Sequence, residues 1–147
     1  MTFLKEGAES EACIHRPFIA VRYRGKTATF LWTSSPETLL RSSVDLKVRA
    51  EWDELLWLAE TLNLPVKGNL IVFPSLDTYN RMLIYACVRK TLRSPKKARK
   101  LAYLILDLNS WEAFYWASCI RERWWRHRSV RRLYRIAKAF KTMFELE

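Results

Sequence analysis

The sequence predicts an α+β fold: a mostly helical single domain, with a small β-hairpin or sheet in the N-terminal half and four helices in the C-terminal half. Three observations carry this expectation. The chain has 147 residues, half of them apolar, with only 3 Gly and 5 Pro, which suits one domain with its own core. Apolar and polar residues alternate over residues 17–32 around a glycine turn. From Pro74 onward the apolar residues recur at helical spacing only.

In chain order, residues 1–14 read as a flexible tail and residues 15–147 as a single domain. Phe18, Ala20 or Val21, and Tyr23, then Ala28, Phe30 and Trp32, form two alternating runs joined by Arg24-Gly25-Lys26, the pattern of a β-hairpin. Ser34-Ser35-Pro36-Glu37 looks like a short helix start, and Val44–Val48 like a brief strand. Glu51–Leu62 reads as a helix, with Trp52, Leu55, Leu56, Leu58, Ala59 and Leu62 along it. Gly68-Asn69 gives a turn into a strand over Leu70–Phe73, expected to pair with the hairpin. Ser75 caps a helix reaching about Leu92, and Ser94-Pro95 starts another to about Leu108. Asn109 and Glu112 have capping-box spacing and open a helix to about Trp124. Ser129 caps a last helix over Val130–Phe144, with Leu133, Ile136 or Ala137, Phe140 and Phe144 inward.

Charge is the largest functional clue. The net charge is +11, and Arg89–Lys100 holds seven basic residues and no acid. Arg121–Lys141 holds nine basic residues and one acid, so these two segments carry +15 and the remainder −4. Charge sorted in this way points to an anionic partner. The longest apolar run, Met82–Val88, is far below the twenty residues of a membrane span. No signal peptide is visible, and Cys13, Cys87 and Cys119 are widely spaced, so a cytoplasmic protein with free thiols and no membrane association is expected. The absence of Gln leans toward a thermophilic source.

Catalytic and metal-site patterns are sparse. His15 and His127 are the only histidines, and no CxxC, HExxH or glycine-rich phosphate loop occurs. Cys13 and His15 are two ligands where structural zinc needs four. Asp45, Asp53 and Asp77 are the residues a metal-dependent nuclease would draw on. A noncatalytic protein without cofactor is the expectation.

The basic half has the chemistry of a phosphate-binding surface, because a guanidinium can hold a phosphate through two hydrogen bonds. Candidate contacts are Lys96, Lys97, Arg99 and Lys100 at one helix start, and Arg128, Arg131, Arg132, Arg135 and Lys138 on and before the last helix. Lys96 and Lys97 occupy a first helical turn, which favours anions, and a bound phosphate would resolve that conflict. Trp124 and Trp125 cannot share a helix face, so Trp125 is a candidate to stack on an unpaired base. Trp52 and Trp57 likewise point to different faces, which makes one of them a candidate protein-interface residue.

The run SPKKARKLAYLILDLNSWEAFYW, Ser94–Trp116, resembles the helical C-terminal domain of the large subunit of archaeal and eukaryotic DNA primase. Ala98-Arg99 stands where that domain has a Gly-Arg pair, Leu108-Asn109 stands at its turn, and Glu112 and Trp116 fall in its following helix. That domain carries four cysteines around an iron–sulfur cluster, whereas this chain has three at other spacings. The chain is more similar to the small noncatalytic third subunit of crenarchaeal primase, which looks like that domain without its cluster. The resemblance implies an accessory subunit of a replication complex that helps a catalytic subunit engage template and initiating nucleotide. Arg99 is the residue that carries over best. The partners then expected are single-stranded or primer-template DNA (RNA being an alternative) and a catalytic or large subunit of that complex. The alternatives are a protein-interaction subunit of a nucleoprotein assembly and a small metal-dependent nuclease.

Overall fold

The computed structural model describes residues 18–32, 46–127 and 130–147, without the side chains of Phe18, Trp32, residues 125–127 and Val130. The expected tail, Cys13, His15, the helix start at Ser34, Asp45, Arg128 and the Ser129 cap lie outside those residues.

The hairpin forms as its pattern predicts. Strands β1 (Phe18–Tyr23) and β2 (Lys26–Trp32) pair antiparallel, with Tyr23 opposite Lys26. Arg24 and Gly25 both adopt positive φ, 51° and 77°, the geometry a two-residue turn needs to match strand twist. Strand β3 (Leu46–Ala50) pairs with β2 and runs two residues past the expected Val48, while Val44 and Asp45 lie outside the described residues. Helix α1 (Asp53–Thr61) is shorter than read from sequence. Trp52 precedes it as N-cap residue, and its indole N–H donates to the Lys26 carbonyl at 3.0 Å, tying the helix start to the hairpin. Asn63 ends the helix at φ 63°, and the Leu64 amide bonds back to the Ala59 carbonyl, closing a Schellman motif.

Strands β4 (Val66–Lys67) and β5 (Leu70–Phe73) form a second hairpin around Gly68-Asn69. The sheet order is β1-β2-β3-β5-β4, antiparallel throughout. The expectation that Leu70–Phe73 pairs with the first hairpin is corrected in one respect: β3 lies between them. One cross-strand row, Phe30–Val48–Ile71, is wholly buried on the inner face of the sheet.

Helix α2 (Leu76–Arg89) lies against that face, with Tyr79 meeting Phe30 and Phe73 edge-on at 5.8 and 5.4 Å between ring centroids. Ser75 caps it through the Thr78 amide. Every residue from Tyr79 to Arg89 is buried, because α3 (Pro95–Asp107), α4 (Ser110–His127) and α5 (Val130–Met143) also pack on α2. The unbroken apolar run Met82–Val88 suits this central position, and the flanking Asn80, Arg81 and Arg89 are buried with it.

Pro95 opens α3 as expected, but the Ser94 side chain makes no capping bond. The turn is closed instead by the Ala98 amide bonding the Ser94 carbonyl. The capping box forms fully: Glu112 N donates to Asn109 Oδ1 at 2.8 Å, and Asn109 N to Glu112 Oε1 at 3.0 Å. Helix α4 continues to His127, three residues past the expected end, so Trp124 and Trp125 sit within a continuous helix and not at a junction. On α5, Leu133, Ala137 and Phe140 are buried, with Ile136 and Phe144 partly so. No described helix is long and apolar enough to cross a membrane.

Candidate nucleic-acid interface

Helices α4 and α5 run antiparallel. Trp116 meets Phe140 edge-on at 5.1 Å, and nearer their connection Arg123 and Arg132 share one groove. The groove is about 340 Å³ and is lined from α4 by Tyr115, Trp116, Cys119 and Arg123, and from α5 by Arg132, Arg135, Ile136 and Ala139. Tyr115, Cys119 and Arg123 follow one another at four-residue intervals, one above the next on a helix face. Arg132, Arg135 and Ala139, at intervals of three and four residues, share one face of the facing helix. Three guanidinium groups therefore collect at the connected end, and the aromatic residues at the other.

Among the described residues no carboxylate holds Arg123, Arg132 or Arg135, and Arg123 and Arg135 are exposed. Three guanidinium groups around one concavity, without a carboxylate among the described residues, repel each other and are relieved by an anion.

Of the candidate residues read from sequence, the structure brings Arg132 and Arg135 into this groove. Arg131 and Lys138 lie exposed on the same helix but do not line it. The far flank of α5 is engaged elsewhere: Lys90 Nζ sits 5.6 Å from the Tyr134 ring centroid, and Lys141 Nζ donates to the Thr91 carbonyl at 3.5 Å. Lys96, Arg99 and Lys100 are exposed and Lys97 half-buried on the first two turns of α3. That helix shares no substantial interface with α5, so the four residues do not merge with the groove. Trp125 lies within α4, but its side chain falls outside the described residues, as does Arg128. Trp124 is half-buried against the core.

Arg123, Tyr115 and Cys119 are groove residues that the sequence reading did not single out. A signal for them exists. Trp111, Phe114 and Tyr115 make a second apolar stripe on α4, offset from Ala113, Trp116, Ala117 and Ile120, and one helix cannot bury both stripes against one core. The second stripe is exposed: Trp111 by 68%, Tyr115 by 51% and Phe114 by 37%.

Other basic residues of the two charged segments point inward. Arg89 Nε and Nη2 bind the Glu54 carboxylate, Nη2 at 2.9 Å, while Nη1 donates to the Leu92 carbonyl at 2.9 Å. Its guanidinium also lies 4.8 Å from the Tyr23 ring centroid. Burial works against the charge on Arg89, but its hydrogen bonds to the Glu54 carboxylate and the attraction between the two overcome it and hold the guanidinium above its ordinary pKa. Arg121 donates to Asn80 Oδ1 at 2.6 Å and Ser118 Oγ at 3.3 Å, and burial lowers its pKa to about 10.

Of the carboxylates considered for metal chemistry, Asp45 lies outside the described residues, and Asp53 and Asp77 are placed separately. Asp77 is held by Arg81 at 2.9 Å. Asp53 lies in a smaller pocket of about 250 Å³ with Tyr23, Arg24, Lys26, Trp52 and Glu54. Among the described residues, no three His, Cys, Asp or Glu side chains gather as a metal site. Trp52 is buried and Trp57 is exposed, which makes Trp57 the member of that pair available to a partner. No family model, curated protein or solved structure matches this chain.

Proposed function

We propose that this protein is a noncatalytic nucleic-acid-binding accessory protein that holds a phosphate backbone in the α4–α5 groove. The observation that carries the reading is the meeting of Arg123, Arg132 and Arg135 in one concavity without a carboxylate partner among the described residues. Guanidinium groups so placed suit phosphate, which each can grip in a fork of two hydrogen bonds. Arg131 and Lys138 extend the positive field along the exposed side of α5. Membership of a replication complex, and of a primase in particular, rests on the resemblance of residues 94–116 alone.

The test is fluorescence anisotropy with labelled single-stranded and duplex DNA at several salt concentrations. Arg123→Ala/Arg132→Ala/Arg135→Ala should weaken binding at least tenfold. It should also flatten the log–log salt slope by about 2 on a single strand, as loss of three phosphate contacts requires. Absence of binding by the unaltered protein at low salt would remove the reading. The exposed Trp57 on α1 would then favour a protein-interaction subunit, tested by pull-down with Trp57→Ala.

A further inference from the structure

The phosphate-binding reading leaves the exposed rings of α4 unexplained. Trp111 stacks on Phe114 at 6.2 Å and 23° between planes, and lies 6.5 Å from Tyr115. Water-exposed aromatic surface of this extent is costly unless something covers it. The cluster is not stranded among charges. Glu112, the carboxylate of that turn, is engaged in the capping box. Tyr115 belongs both to the ring cluster and to the groove, so the apolar surface runs directly into the arginine-lined concavity. From Trp111 to Arg123 is about 18 Å along the helix axis.

We infer that Trp111, Phe114 and Tyr115 form a stacking platform for unpaired bases, and that the groove therefore takes single-stranded in preference to duplex nucleic acid. The inference rests on the phosphate reading of the same groove. Its physical basis is that the occupant must offer flat apolar faces and anionic groups side by side along one line. An unpaired nucleotide chain does this at every residue, because each base has a π-face and each link a phosphate. In a duplex those faces are stacked on one another and cannot reach a side-chain ring without unstacking. A protein partner covering the rings would have to supply acidic groups in the same register. A nucleotide strand supplies them by its covalent structure.

The sharpest probe is a set of three labelled 12-residue ligands: oligo-dT, a duplex of that length, and an abasic deoxyribose-phosphate chain. Trp111→Ala/Phe114→Ala, which leaves the groove lining intact, should lower oligo-dT affinity roughly tenfold or more, since each stacked base contributes at least a several-fold factor. Duplex and abasic affinities, and the salt slope, should change less than about twofold. Trp111→Phe/Phe114→Tyr keeps rings at both positions and should recover most of the loss, which separates stacking from damage to the fold. The inference is overturned if the alanine pair weakens all three ligands equally or leaves oligo-dT unaffected. It is equally overturned if the pair's one effect is to dissolve a self-associated form. In each of those cases the phosphate reading still stands if the groove arginines remain necessary. If the unaltered protein binds none of the three, both readings fall together.

Discussion

Two sets of arginines in this molecule have the same chemistry and opposite fates. Arg81, Arg89 and Arg121 turn into the body of the protein, where each meets a specific set of acceptors. Arg81 donates to Asp77 and to the Ile105 carbonyl at 2.7 Å, Arg89 to Glu54 and the Leu92 carbonyl, and Arg121 to Asn80 and Ser118. Arg123, Arg132 and Arg135 turn outward into a groove that offers them no carboxylate among the described residues. Arg121 and Arg123 are two residues apart on one helix, yet belong to different sets. The difference teaches that net charge overstates the binding surface. Part of the positive charge of the two basic segments joins helices to the sheet and to one another, and only the remainder is available to a ligand.

The comparison breaks most visibly at Arg89. Arg89→Ala leaves the Glu54 carboxylate without its partner and the Leu92 carbonyl without a donor, and removes one of the two guanidinium groups, with that of Arg24, beside the Tyr23 ring. Breaking such a pair from the buried side should cost about 3 kcal/mol in urea denaturation, softened by the partial exposure of Glu54. Arg89→Lys should recover less than half of it, because a single ammonium cannot reproduce the planar fork. An Arg89→Ala protein as stable as the parent would dissolve the distinction between the two sets.

Arg81 comes next. The last turn of α3 leaves carbonyls without intrahelical donors, and Arg81 reaches across from α2 to satisfy that of Ile105. Arg81→Ala should cost about 2 kcal/mol of stability. In hydrogen exchange the loss should show first as faster exchange at the C-terminal end of α3. Arg123→Ala, lacking any such acceptor, should shift stability by no more than about 0.5 kcal/mol.

Much of this architecture is legible in the sequence. The hairpin around Arg24-Gly25, the Ser75 cap, the Asn109–Glu112 capping box and the inner stripe of α5 all form where local chemistry places them. Such features depend on residues within four or five positions of each other, and so survive any tertiary arrangement. The direction of individual arginines was not read, because a charge run looks the same whichever way each side chain points. One clue was present. Met82–Val88 is apolar without interruption, which marks α2 as buried all round and forces the flanking Arg81 and Arg89 inward with it. The groove is less accessible still, since it needs Arg123 and Arg132 to meet across two helices. The packing of α3 on α2 was also invisible, and it separates the basic start of α3 from α5.

That separation gives the smallest and most discriminating expectation. Lys96, Lys97 and Lys100 contribute to the positive field, but they stand on a helix that shares no substantial interface with α5. A field acting over more than a Debye length, about 8 Å at physiological ionic strength and about 30 Å at 0.01 M, is strong in dilute buffer and screened in the cell. Lys96→Ala/Lys97→Ala/Lys100→Ala should therefore weaken oligonucleotide binding about threefold at 0.01 M salt and hardly at all at 0.15 M. The groove triple variant should lose affinity at both. Should the lysine variant lose as much as the groove variant at 0.15 M, its side chains touch phosphate directly. The binding face would then cross from α5 to α3, and the outward set of cations would be larger than the groove alone defines.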